Sequence, residues 1–170
     1  MKSITDSAVT RGIARVQQGI VLILLMVIPV LVVIQVLLRY VLQMPLMGIE
    51  EIMLFPTIWL YMLGGGVASY ERDHIQAGIL ALYIKNERRL AIFYFVRTII
   101  SFIISTWLTY WAFKYFLYSM RVWKLSNLLY LPLFFGESAM FIGLLTMTFF
   151  TFVELIDRYN AVGRPSQSQS

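Results

Sequence analysis

Between Arg15 and Arg39 the chain reads VQQGIVLILLMVIPVLVVIQVLL, a run of 23 residues without one ionisable side chain. At about 1.5 Å of rise per helical residue, such a run crosses the roughly 30 Å hydrocarbon layer of a bilayer. Water is absent there, so each backbone amide has to bond within its own segment, and the helix is the conformation that permits it. Three further apolar stretches of comparable length follow before the polar tail that begins at Gly163. These stretches predict an all-α integral membrane protein with four transmembrane helices.

Composition agrees. Apolar residues make up 59% of the chain and charged residues 14%, against about 45–50% and about 25% in soluble domains. The formal net charge is +5. In a membrane chain a basic balance reflects lysine and arginine anchoring cytoplasmic loops, so nucleic acid is not an expected partner. The chain has no cysteine, which excludes disulfides, thiolate metal sites and thiol catalysis and leaves the redox compartment unread. The first apolar run is too long for a signal-peptide core and no small-residue cleavage pattern follows it, so it is expected to remain as a helix.

Residues 1–160 read as one four-helix domain without internal repeats. Within the N-terminal segment 5–18, Val9, Ile13, Val16 and Ile20 recur at helical spacing, which predicts an amphipathic stretch lying on the membrane surface ahead of the first span. That span is expected at Gly19–Leu38, kinked at Pro29, with Gln35 its one strongly polar side chain before Arg39. A short turn around Pro45 leads through Glu50 and Glu51 to a second span at Ile52–Ser69, which carries Pro56 early and Gly64-Gly65-Gly66 late. Residues 75–89 are too few and too one-sided to cross, and predict an interfacial helix. A third span is expected at Leu90–Tyr118, long enough to project from the bilayer, and a fourth opens near Pro132 and Glu137 and ends near Leu155. The tail 161–170, rich in serine and glutamine, is expected to be disordered.

Counting basic residues gives an orientation. Lys2, Arg11, Arg15, Arg72, Lys85, Arg88, Arg89, Arg97, Arg158 and Arg164 fall on the side of the two chain ends, and Arg39, Lys114, Arg121 and Lys124 on the other. Ten against four predicts both termini in the cytoplasm.

Buried ionisable groups persist in membranes when they do something, and the deep middle of every span here lacks them. The candidates stand near interfaces. Arg39 can pin the first hairpin by pairing with Glu50 or Glu51, or can contact a substrate. Glu137 needs a partner: Arg39 or Lys124 in this chain, or a basic group on another. His74 is the single histidine, which cannot supply paired axial haem ligands and reads as an interfacial anchor together with Arg88 and Arg89. The glycine triplet reads as a packing surface, since no phosphate-loop pattern follows it. The aromatics from Trp107 to Trp123 read as an interface belt. Neither catalytic residues nor a cofactor or metal site can be assembled from this inventory, so no enzyme activity is expected.

The ordered set Arg39-Tyr40, Pro45, Glu50-Glu51, Trp59, Gly64–Gly66 and Arg72-Asp73-His74-Ile75 resembles the small membrane subunit of tripartite ATP-independent periplasmic (TRAP) transporters, the DctQ-like family. The resemblance runs from about Ile13 to Arg158. One departure is visible: members often carry tryptophan just before the acidic pair, where this chain has Met47-Gly48-Ile49. The resemblance implies a multi-pass protein of the bacterial inner membrane. It implies a scaffold for a large multi-span permease subunit that performs sodium-coupled uptake of an organic acid, of the sialic acid or C4-dicarboxylate class, delivered by a periplasmic substrate-binding protein. Gln35, Gly64, Gly65, Gly66 and Glu137 are then the expected contacts with the large subunit. Arg39, Glu50, Glu51, Arg121 and Lys124 are the expected contacts with the binding protein or members of a structural ion pair. Two other classes compete: a redox membrane anchor, which the single histidine disfavours, and a small proton-coupled exporter, which needs a carboxylate deeper than Glu137.

Overall fold

A computed structural model describes residues 8–43, 48–71 and 87–162 of the chain. Four helices make up most of these residues: α1 (Ala8–Tyr40), α2 (Gly48–Glu71), α3 (Glu87–Val122) and α4 (Phe134–Val162). All four are long and apolar enough to cross a membrane. Both described chain ends lie on one side of the helices, here the end face, and residues 41–43 and 123–133 on the other, the loop face.

The boundaries differ from the sequence expectation at α1. Residues 8–18 do not form a separate surface helix but the first three turns of a single 33-residue helix. Nothing interrupts it, because Gly19 only weakens a helix and Pro29 lacks one N–H within an otherwise unbroken ladder. Nor is the Val9, Ile13, Val16 and Ile20 stripe the packed face of this segment. Those four side chains are exposed, while Thr10, Ala14 and Gln17 are buried. The polar and small residues face protein and the apolar ones face outward, as expected where lipid is the solvent. The expected interfacial helix lies outside the described residues up to residue 86, and residues 87–89 already belong to α3. His74 and the tail from 163 onward also lie outside the described residues, as do the side chains of Arg88, Ala161 and Val162.

Neighbouring helices follow one another in the order α1, α2, α4, α3, with α2 and α4 inside and α1 and α3 at the edges. Chain direction makes α1/α2 and α3/α4 antiparallel and α2/α4 parallel. The seams are narrow. In α3, Thr98, Ser105, Ala112 and Ser119 are buried at seven-residue intervals, the spacing that keeps small residues on one left-handed seam. Thr109 on the same seam bonds Thr148 of α4 at 2.8 Å and donates to the Ser105 and Leu144 carbonyls at 2.8 and 3.1 Å.

Between α2 and α4 the backbones nearly touch. A Cβ at Gly143 would lie 2.7 Å from both Cβ and the carbonyl oxygen of Met62. Gly136 faces Phe55 and Ile58 one to two turns nearer the loop face, with buried Ala139 between. This small-residue stripe lets two helices approach where a larger side chain would hold them apart.

Candidate functional site

The loop face gathers most of the residues singled out in the sequence. α3 ends where the Trp123 N–H bonds the Ser119 carbonyl at 3.0 Å and Trp123 turns left-handed at φ 46°. The chain then forms a short hairpin. Ser126 N–H donates to the Leu131 carbonyl at 2.8 Å and Leu133 N–H to the Lys124 carbonyl at 3.0 Å, with Tyr130 at φ 52° turning it. Glu51, in the first turn of α2, reaches across to this hairpin. It accepts from the Leu128 and Leu129 N–H groups at 3.0 Å each and from the Ser126 hydroxyl. Successive amides around a carboxylate form a concave anion nest, and here the anion belongs to the same chain. The bond ties the start of α2 to the connection between α3 and α4.

Glu50 accepts from Gln35 Nε2 at 3.1 Å. Both acidic residues are therefore engaged by neutral donors. Among the described residues Arg39 forms no ion pair with either, so the expected pinning of the first hairpin by Arg39 is replaced by a Gln35–Glu50 bond. Arg39 instead lies over the Tyr40 ring, 5.7 Å from its centroid.

Glu137 departs from expectation in the same way. Its carboxylate accepts from Tyr115 Oη at 2.7 Å and from the Ser119 hydroxyl. Neither Arg39 nor Lys124 takes part. Antiparallel packing of α3 on α4 places Ser119 and Tyr115, one turn apart, beside the first turn of α4, where the helix dipole also favours a negative charge. Lys124 lies over Tyr118 at 5.7 Å and Lys114 over Tyr110 and Trp111 at 4.9 and 5.5 Å. Arg121 is exposed. Arg39, Lys114, Arg121 and Lys124 thus leave this face basic, with no described carboxylate at ion-pair distance from any of them.

A second polar point lies inside, where α1, α2 and α4 meet. Gln17 is 4% exposed, and its Nε2 donates to the Leu63 carbonyl at 2.8 Å and faces Thr146 Oγ1 at 3.4 Å. Gly66 makes this possible, since a Cβ there would overlap the Gln17 amide. The Gln17 Oε1 atom is buried without a described partner. Of the glycine triplet, Gly66 is therefore used within the chain, Gly65 meets Met147 Sδ at 3.2 Å from an added Cβ, and Gly64 has open space around it. Arg89 is exposed at the end face.

Sequence reasoning missed Ser126, Tyr115, Ser119, Gln17 and Gly143. The Ala139 to Gly143 spacing was a usable signal for close packing; hydroxyls that serve as carboxylate partners carry no charge and gave none. Among the described residues, no group of three histidine or acidic side chains is placed to hold a metal ion. The arrangement braces helices and connections together, with basic and aromatic side chains left outward.

No curated protein matches this chain. Residues 12–161 match the family described as tripartite ATP-independent periplasmic transporters, DctQ component, which takes in all four helices and both polar centres, and the chain belongs to that family.

Proposed function

We propose that this chain is the non-catalytic supporting subunit of a TRAP transporter. It braces the large permease during sodium-coupled uptake of an organic acid, of the sialic acid or C4-dicarboxylate class, which a periplasmic binding protein delivers. It sits in the bacterial inner membrane with both ends in the cytoplasm. One observation carries this reading. Among the described residues, Glu50, Glu51, Glu71, Glu137 and Glu154 each accept a hydrogen bond from a donor of the same chain, and no group of three histidine or acidic side chains is placed to hold a metal ion.

The contacts expected at the large subunit are narrowed by the same bookkeeping. Gln35, Gly66 and Glu137 have partners inside the chain, whereas Gly64 is open beside Tyr61, which is 73% exposed. That strip of α2 is the site at which the permease packs, since a glycine beside a large aromatic offers both close approach and a ring to seat. Arg39, Arg121 and Lys124 serve the binding protein from the loop face, where unpaired cations attract an acidic surface.

Purification in mild detergent tests the assignment: a stable complex with a permease of many spans is expected. Sodium-driven accumulation of substrate by this chain alone in liposomes would overturn it.

A further inference from the structure

The uncharged stretches of the four helices are not level with one another. They are bounded by Arg15 and Arg39 in α1, Glu51 and Glu71 in α2, Arg97 and Lys114 in α3, and Glu137 and Glu154 in α4. Their midpoints fall at residue 27, residue 61, between 105 and 106, and between 145 and 146. Contacts fix the relative heights. Met62 stands level with Gly143, so the midpoint of α4 lies about 5 Å nearer the end face than that of α2. Thr148 with Thr109, and Phe141 with Phe113, put the α3 midpoint a further ~4–9 Å the same way. On the other side, Gln17 with Leu63 and Gln35 with Glu50 put the α1 midpoint ~4–12 Å nearer the loop face than that of α2, and Gln18 with Glu71 puts the two nearly level, a mean of about 5 Å toward the loop face.

Taken as means, the three steps have the same sign. Across three interhelical spacings of about 8–10 Å each, the apolar belt descends by roughly 17 Å from α1 to α3. A bilayer is flat on this scale, and a charged group held in its centre costs several kcal/mol. We infer that the helices lie in the membrane inclined by roughly 30–35° from its normal, leaning in the plane that runs from α1 to α3, within the range of about 0–40° seen for membrane helices.

A separate length agrees. The 23-residue stretch of α1 is about 35 Å long, and inclined by that angle it spans a height of about 28–30 Å, close to one hydrocarbon layer. The lean also accounts for helices of 33 and 36 residues. It carries Ala8–Arg15 into the headgroup layer of one surface and Lys114–Leu133 to and beyond the other. Lys114 and Arg97 reach the headgroups along their own stems.

The chain has no native cysteine, so single introduced thiols can be spin-labelled in the full-length protein in lipid nanodiscs. Met26 and Leu117 stand at the same height along the helices and are 63% and 48% exposed. In an upright arrangement labels at Met26→Cys and Leu117→Cys have equal depth. The inclination separates them by about 15 Å, with Met26 near the midplane and Leu117 at the headgroups. The expected result is several-fold greater access of a nickel chelate at Leu117 than at Met26, with oxygen access in the reverse order. Polarised infrared dichroism of the unaltered chain should give a mean helix inclination of roughly 30–35°. Equal depths, or an inclination below about 15°, overturn the inference, and neither readout depends on whether a permease is bound.

Discussion

Replacing Gly143 with alanine isolates the contact on which the α2/α4 pair depends. The added Cβ would lie 2.7 Å from Met62 Cβ, 2.7 Å from its carbonyl oxygen and 2.9 Å from its carbonyl carbon. Two of those three atoms are backbone, so no rotamer change relieves the overlap. Reaching ordinary contact near 3.4 Å requires the helices to part by roughly 0.7 Å, and a gap of that size forfeits a quarter to a half of each dispersion well along the seam. With wells of about 0.1–0.2 kcal/mol over some tens of atom pairs, the loss is about 1–3 kcal/mol, the range measured for overpacked interiors. Alanine's better helix propensity offsets little, because in lipid the separated helices are already formed. Gly64→Ala provides the control, since nothing lies within 4 Å of a Cβ there. Unfolding from mixed micelles by a denaturing detergent should show Gly143→Ala weakened by about 1–3 kcal/mol and Gly64→Ala within about 0.5 kcal/mol of the parent. Equal stability of the two variants would refute the claim that backbone proximity at Met62 governs this seam.

Three further changes probe the polar contacts. Glu51→Ala strips the acceptor from the Leu128 and Leu129 amides; with water able to replace it, the cost is local, about 1 kcal/mol, read as faster hydrogen exchange at those two amides with an unchanged global transition. Gln17→Leu removes one buried bond together with the orphaned Oε1, so thermal stability in detergent should stay within about 1 kcal/mol of the parent, whereas a loss of 3 kcal/mol or more would mean that the oxygen has a partner. Thr109→Val deletes the α3/α4 bonds to Thr148 and Leu144, and the same micelle titration should report a loss of about 0.6 kcal/mol, typical of interhelical bonds in membranes.

The four helices were legible because their cause is local: a charge-free run of adequate length has one backbone solution in lipid. The α1 boundary was misplaced for a related reason. Polar residues before Gly19 resemble a surface segment when solvent is taken to be water, yet Thr10 and Gln17 pack against other helices while Val9 and Val16 face out. Partners were far less legible than elements. Glu137 and Glu51 were recognised as groups that need partners, but charge suggested arginine and lysine, and the fold supplies hydroxyls and amides instead. Which donors stand opposite a carboxylate depends on helix order and register, and a list of residue types contains neither. Gly143 is harder to read than Gly64–Gly66, because a triplet stands out in a sequence while a single glycine two turns from Gly136 does not.

The serial order α1, α2, α4, α3 bears directly on what such a protein can do. Helices with no hydrophobic force between them associate through close packing and a few polar bonds, and each edge helix here has one seam of that kind. α1 turns Thr10, Ala14 and Gln17 inward and leaves Leu22, Ile23, Met26 and Val30 exposed. α3 turns Ser105, Ala112 and Ser119 inward and leaves Ile103, Trp107 and Trp111 exposed. A closed four-helix bundle would enclose a central axis where a solute or ion site could form. A series of helices encloses no such axis, and apart from Gln17, which reaches past α2 to Thr146 of α4, the polar groups on its seams face their immediate neighbours. It has instead two broad apolar flanks, and the start of α2 is bonded through Glu51 to the connection between α3 and α4, which fixes the register there. A flat apolar flank of fixed register can be packed against by another membrane protein without refolding, and its inclination and reach are then imposed on whatever is attached. A row of helices without a central axis therefore fits the bracing role proposed for this chain.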